Sequence, residues 1–150
     1  MSVGIAKPIP GIFLEQIEYI LVISTPLEII LLGIAFVSAG SVGKAGPMTI
    51  YRTDMTVSSD NINMTQIEGT SAGRIFMRGS NGQLYELVYQ AQDGWLTRKI
   101  RKVNLSTSSL SLLVPEFLRW RPEDYVSKFV IDDDRHVLYI LTNDNQIQVI

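Results

Sequence analysis

Asp132, Asp133 and Asp134 stand in a row just ahead of His136, the single histidine of the 150-residue chain. Adjacent carboxylates on a tight turn can hold a hard cation, and an imidazole beside them can move a proton. No second cluster at metal-ligand spacing supports such a site, and Asp is an ordinary turn residue. The run is therefore read as a turn, with no metal and no cofactor. Glu68, Glu86, Glu116 and Glu123 offer carboxylates for glycoside hydrolysis, which needs two of them about 5 to 9.5 Å apart. Nothing in their spacing brings any two together. The chain has no Cys, which removes thiol nucleophiles, disulfides and Cys-ligated metals. A Ser-His-Asp triad would have to run through His136 alone. No catalytic residue is assigned, and the chain is expected not to be an enzyme.

Two further segments carry residue types suited to binding. Arg98, Lys99, Arg101 and Lys102 form a basic strand that could meet phosphate, but aromatic interleaving is absent apart from Trp95. The chain as a whole carries 13 Lys and Arg against 15 Asp and Glu, a net charge of -2, so it lacks the broad basic field that nucleic-acid binding uses. No direct nucleic-acid partner is expected, and the strand is read as a charged edge strand. In Met48–Thr56, helical spacing would gather Met48, Tyr51 and Met55 on one face, as in segments that lie in a membrane interface. Strand alternation fits Met48 and Ile50 equally well and is the preferred reading.

The elements that must position these residues are strands. The chain contains 18 Ile, 12 Val and 9 Thr against 6 Ala, and β-branched side chains favour the pleated strand. The most apolar stretch, Ile17 to Val37, has about the length of a membrane helix, roughly 20 residues. Glu18 and Glu28 fall inside it, and Pro26 splits it into strand-length runs, Tyr19–Ser24 and Glu28–Val37, joined at Thr25-Pro26. Residues 38–47, SAGSVGKAGP, read as a loop. A second hairpin pairs Arg74–Arg78 with Gln83–Tyr89 across Gly79-Ser80-Asn81-Gly82, where Asn-Gly supplies the positive φ of a tight turn. Strands are also expected at Met64–Glu68, Trp95–Val103, Ser127–Ile131, His136–Thr142 and Gln146–Ile150.

One phrase recurs along the chain. Ile75-Phe76-Met77 aligns with Leu138-Tyr139-Ile140 at an offset of 63 residues, and Leu21 aligns with Ile75 at an offset of 54. Several short strands per period suggest the blades of a β-propeller. The fold class expected is all-β: a partial β-propeller of about three blades of antiparallel strands. Closure takes roughly four to eight blades, so residues 1–150 are expected to be a fragment of a larger propeller.

Lys7–Ile34, Gly73–Leu118 and Phe129–Ile150 together resemble one family. Three phrases carry the resemblance: the Thr25-Pro26 hairpin after a run of Leu, Ile and Val; Gly73-Arg74-Ile75-Phe76 leading to Leu84-Tyr85-Glu86; and Gly94-Trp95 followed by Arg101-Lys102-Val103-Asn104 and Leu113-Val114-Pro115. The chain is similar to the N-terminal propeller region of the large inner-ring scaffold nucleoporins, the one-fifty-five/one-seventy class of the nuclear pore complex. That resemblance implies a seven-bladed N-terminal propeller followed by an α-helical solenoid. It implies a structural role at the nuclear envelope, in pore assembly and nucleocytoplasmic transport, with linker nucleoporins as partners and no cofactor. It also implies a membrane-contacting loop. Residues 38–61 correspond by position, which makes Val42, Met48, Ile50, Tyr51 and Met55 the membrane-binding candidates. A propeller module of a vesicle coat, or a propeller-borne glycoside hydrolase, is the alternative.

Overall fold

A computed structural model describes residues 1–36, 47–90, 100–106 and 125–150. Within them the chain forms strands β1 (Ser2–Ala6), β2 (Tyr19–Ser24), β3 (Glu28–Phe36), β4 (Met48–Ser58), β5 (Met64–Gly69), β6 (Ile75–Gly79), β7 (Leu84–Tyr89), β8 (Ile100–Asn104), β9 (Val126–Asp132), β10 (Val137–Thr142) and β11 (Ile147–Val149). They make three antiparallel sheets in chain order: β1 to β4, β5 to β8, and β9 to β11. Each strand pairs with the next one along the chain, so each sheet is a meander, the form of a propeller blade. The expected all-β architecture of about three blades is what the chain adopts.

Local chemistry accounts for the hairpins. At the β2–β3 turn the Thr25 hydroxyl accepts from the N–H groups of Leu27 and Glu28 at 3.3 and 3.1 Å. At the β6–β7 turn Gly82 has φ +74°, and the Asn81 side-chain oxygen accepts from the N–H of Gln83 at 3.2 Å. The offset of 63 survives in the pairing itself: Ile75 lies opposite Leu87, while Leu138 and Ile150, 63 residues on, exchange both backbone hydrogen bonds at 2.9 Å.

Alternation along the middle sheet divides its side chains between two cores. Ile75, Met77, Tyr85, Leu87 and Tyr89 pack toward the first sheet with Ile20, Val22, Ile29 and Leu31. Phe76 and Leu84 pack the opposite way with Val126, Phe129, Leu138 and Ile140 of the third sheet. The first two sheets approach most closely along β1 and β5, where the side chains are small. A Cβ on Gly4 would lie 2.8 Å from Ile67 Cβ, and one on Gly69 would lie 2.8 Å from Ala6 Cα. The glycines of β1 and β5 therefore let the first two sheets come close along these strands. Across the next gap, the Gln66 side-chain amide clamps the Phe129 backbone, donating to its carbonyl at 2.7 Å and accepting from its N–H at 3.3 Å.

The strand reading of Met48–Thr56 holds, and β4 runs on to Ser58 because it pairs along β3 across a register irregularity between Ile30 and Leu32. β1, which no periodicity in Met1–Gly11 announced, exists because it pairs with β2 and lies against β5.

Candidate functional site

The carboxylate candidates are turned to separate partners. Asp132 accepts from the N–H and guanidinium of Arg135 at 3.1 and 2.8 Å, whereas Asp133 accepts from the Ser71 N–H at 2.8 Å and so joins the third sheet to the second. Hydrogen bonding from Arg135 and from Ser71 holds Asp132 and Asp133, respectively, below the ordinary aspartate value. His136 sits exposed in the same turn at φ +54°. Glu68 and Glu86 both lie opposite Phe76, one strand away on either side, which sets their backbones roughly 10 Å apart at ordinary strand spacing. Both Glu86 oxygens receive Arg74, at 2.8 and 3.0 Å, and Glu68 accepts from Gln66 at 2.8 Å. Glu116 and Glu123 lie outside the described residues.

The basic strand is split by its own alternation. β8 is the edge of the second sheet, as expected, and Arg101 is exposed on it. Lys102 turns inward: its ammonium lies 2.8 Å from Asp60 Oδ2 and donates to the Ser59 carbonyl at 3.0 Å, with the Tyr85 ring 5.1 Å away. This lysine therefore ties the outer strand of the second sheet to the connection between β4 and β5. Arg98 and Lys99 lie outside the described residues.

Of the five membrane candidates, Val42 lies outside the described residues and the other four are all on β4. Strand geometry separates the residues that helical spacing would have grouped. Met48 and Ile50, opposite Phe36 and Ile34, share one face and are 54% and 50% exposed; Tyr51 points to the other face at 36%. Met55 is drawn into the core between the first two sheets, where only 7% of it remains exposed, so it is no part of the outer surface.

Sequence reasoning missed the neighbours that complete this patch. Phe36, itself exposed, meets Tyr19 edge-on at 6.1 Å, and the Lys7 ammonium lies 4.1 Å over the Tyr19 ring. The signal was present in the alternation of Ile34 and Phe36 along β3, but Lys7 joins the group only through the fold. The assembled surface is apolar and aromatic, with the Lys7 ammonium beside it and exposed Arg52 two residues beyond Ile50 on β4. It offers apolar side chains and positive charge to a partner.

Comparison with known proteins agrees with that architecture. The nucleoporin family described as Nup133 N-terminal-like matches residues 1–149. The chain is 38% identical over 149 residues to the nuclear pore complex protein Nup154 of Drosophila melanogaster, covering 99% of this chain and 11% of that protein. It is 33% identical over 152 residues to nucleoporin NUP170 of Chaetomium thermophilum, covering 98% of this chain and again 11% of the relative. Among solved structures, the Nup170 N-terminal domain in complex with Nup53, from Chaetomium thermophilum, superposes with a TM-score of 0.78 at 30% identity, over 98% of this chain and 20% of that one.

Proposed function

The chain belongs to the Nup133 N-terminal-like family of nucleoporins, homologous along its length to the inner-ring proteins Nup154 and Nup170, and from that premise we propose that it is part of the N-terminal propeller of a nuclear pore scaffold protein. Its site of action is the nuclear pore complex at the nuclear envelope. The observation that carries the reading is the superposition on the Nup170 N-terminal domain along nearly the whole chain. In this reading further blades complete the ring, an α-helical solenoid follows, and the protein works without catalysis, through shape and surface.

The partners proposed are linker nucleoporins. The solved relative was captured with Nup53, and several weak contacts on one scaffold combine through effective concentration. A second contact is with the membrane, made by Met48 and Ile50 with Phe36 and the Lys7 cation, a combination suited to an anionic bilayer surface.

Capture of a Nup53-type linker by the immobilised chain tests the first contact; absence of saturable binding would remove it. Flotation with vesicles of phosphatidylcholine and phosphatidylserine tests the second. The Met48→Asp, Ile50→Asp double variant, altered only at exposed positions, is expected to stay at the bottom of the gradient while the parent floats. Equal flotation of both would remove the membrane role.

A further inference from the structure

The connection between the first and second strands of each sheet is made in two ways. In the first sheet, residues 7–18 fold over the end of the second sheet. Ile9, Ile12 and Phe13 pack on the core between the two, the Ile9 N–H donates to the Tyr89 hydroxyl at 3.2 Å, and the Phe13 and Tyr89 rings lie 5.9 Å apart. The chain plugs the end of its own first cleft. The equivalent connections in the next two sheets, Thr70–Arg74 and Asp133–His136, are tight turns, held together where the Ser71 N–H meets Asp133. They supply no plug.

At the corresponding end of the gap between the second and third sheets there is a cleft of about 210 Å³, with Phe76, Leu105, Ile131 and Leu138 among its apolar lining and Arg74, Asp133 and His136 among its polar lining. A dry apolar cavity of about 150 Å³ accepts a benzene ring, so this one has room for a single large side chain. Arg74 is already neutralised by Glu86, which leaves Asp133 as the net charge of the rim.

We propose that this cleft receives one bulky apolar side chain, aromatic or branched, from an extended peptide of a partner protein, much as the first cleft receives Ile9 and Phe13 from the chain itself. Rim charge adds that no acidic residue flanks the anchor. That the peptide belongs to a linker nucleoporin rests on the scaffold reading above; that the cleft takes such a side chain does not.

The chain's own plug provides the probe: a capped, fluorescein-labelled peptide copying residues 8–14, Pro-Ile-Pro-Gly-Ile-Phe-Leu. Its anisotropy is expected to rise saturably on titration with the full chain. Phe13→Ser in the peptide should weaken binding by at least about tenfold, the worth of burying one large apolar side chain. In the protein, Ala72→Trp, at an exposed turn position on the cleft, should close the mouth and abolish binding with the thermal transition unchanged. A benzophenone side chain in place of Phe13 in the peptide should crosslink to Phe76 or Leu138. Lack of saturation, indifference to Phe13→Ser or to Ala72→Trp, or crosslinks to Tyr89 and Gly73 instead would each overturn the proposal. Peptide binding by a chain that captures no linker nucleoporin would support the cleft and overturn the functional reading.

Discussion

The Tyr89 hydroxyl donates to the carbonyl oxygen of Gly73 at 2.6 Å. The Tyr89 hydroxyl oxygen in turn accepts from the N–H of Ile9, so one buried phenol fastens the end of β7, the turn before β6 and the connection out of β1. Burial pushes its pKa up to about 12, and it stays protonated and able to donate throughout the physiological range.

Tyr89→Phe keeps the ring and removes the fastening. The Gly73 carbonyl and the Ile9 N–H are then left without this partner, at a cost of about 1–3 kcal/mol. Urea unfolding is expected to show a lower midpoint with an unchanged slope; an unchanged midpoint would mean that water replaces the hydroxyl.

Gly69→Ala adds a methyl where β5 lies against Ala6, and the obstacle is backbone as well as side chain. Overpacking of this kind costs about 1–3 kcal/mol, and thermal melting should show it. Tolerance without loss would mean that the first two sheets can part along β1 and β5.

Acid should loosen the joints between sheets. Asp60, held down by hydrogen bonds from Lys102 and then Ser58, and Asp133, held down by Ser71, both lie below the ordinary value of 3.8. A depressed carboxylate binds its proton less readily in the folded state, so its contribution is complete above the unfolded value and is lost as pH falls through the folded one. Stability is expected to hold from about pH 7 to 5 and to fall below about pH 4. Lys102→Met should return Asp60 upward toward 3.8 in a carboxyl-resolved NMR titration; no movement would contradict the 2.8 Å ion pair.

The first sheet also presents apolar rows on its outer face, Val3–Ile23–Ile30 and Ile5–Leu21–Leu32 in register, with Val3 and Ile5 more than half exposed. The third sheet presents Val130–Tyr139–Val149. Patches of this kind drive association, so the 150-residue chain is expected to self-associate on a sizing column. Ile5→Lys with Ile23→Lys should shift it toward monomer. A parent chain that ran as a monomer with one sharp thermal transition would count against this.

Legibility differed from residue to residue. Thr25, Asn81 and Gly82 act on their nearest neighbours, and the turns they make were readable from types and spacing. The 63-residue offset was also readable, because each blade must repeat the same pleat to present the same face. Lys102 looked like one more solvated charge on a basic strand and is instead nearly buried against Asp60 and Tyr85. Met55 looked like part of a surface segment and belongs to the core.

What the chain determined by itself is therefore the strands with strong local signals, their turns and their repetition, since hairpin pairing is settled within a few residues. The tertiary structure decided which face of each strand meets which neighbour. β1 is short and glycine-containing, and it becomes a strand where β2 pairs with it and β5 lies against its small residues. Whether the end of a gap is plugged, as by Ile9 and Phe13, or open, as between Phe76 and Leu138, depends on how a connection in one sheet lies over the next. No period in a single strand carries that distance.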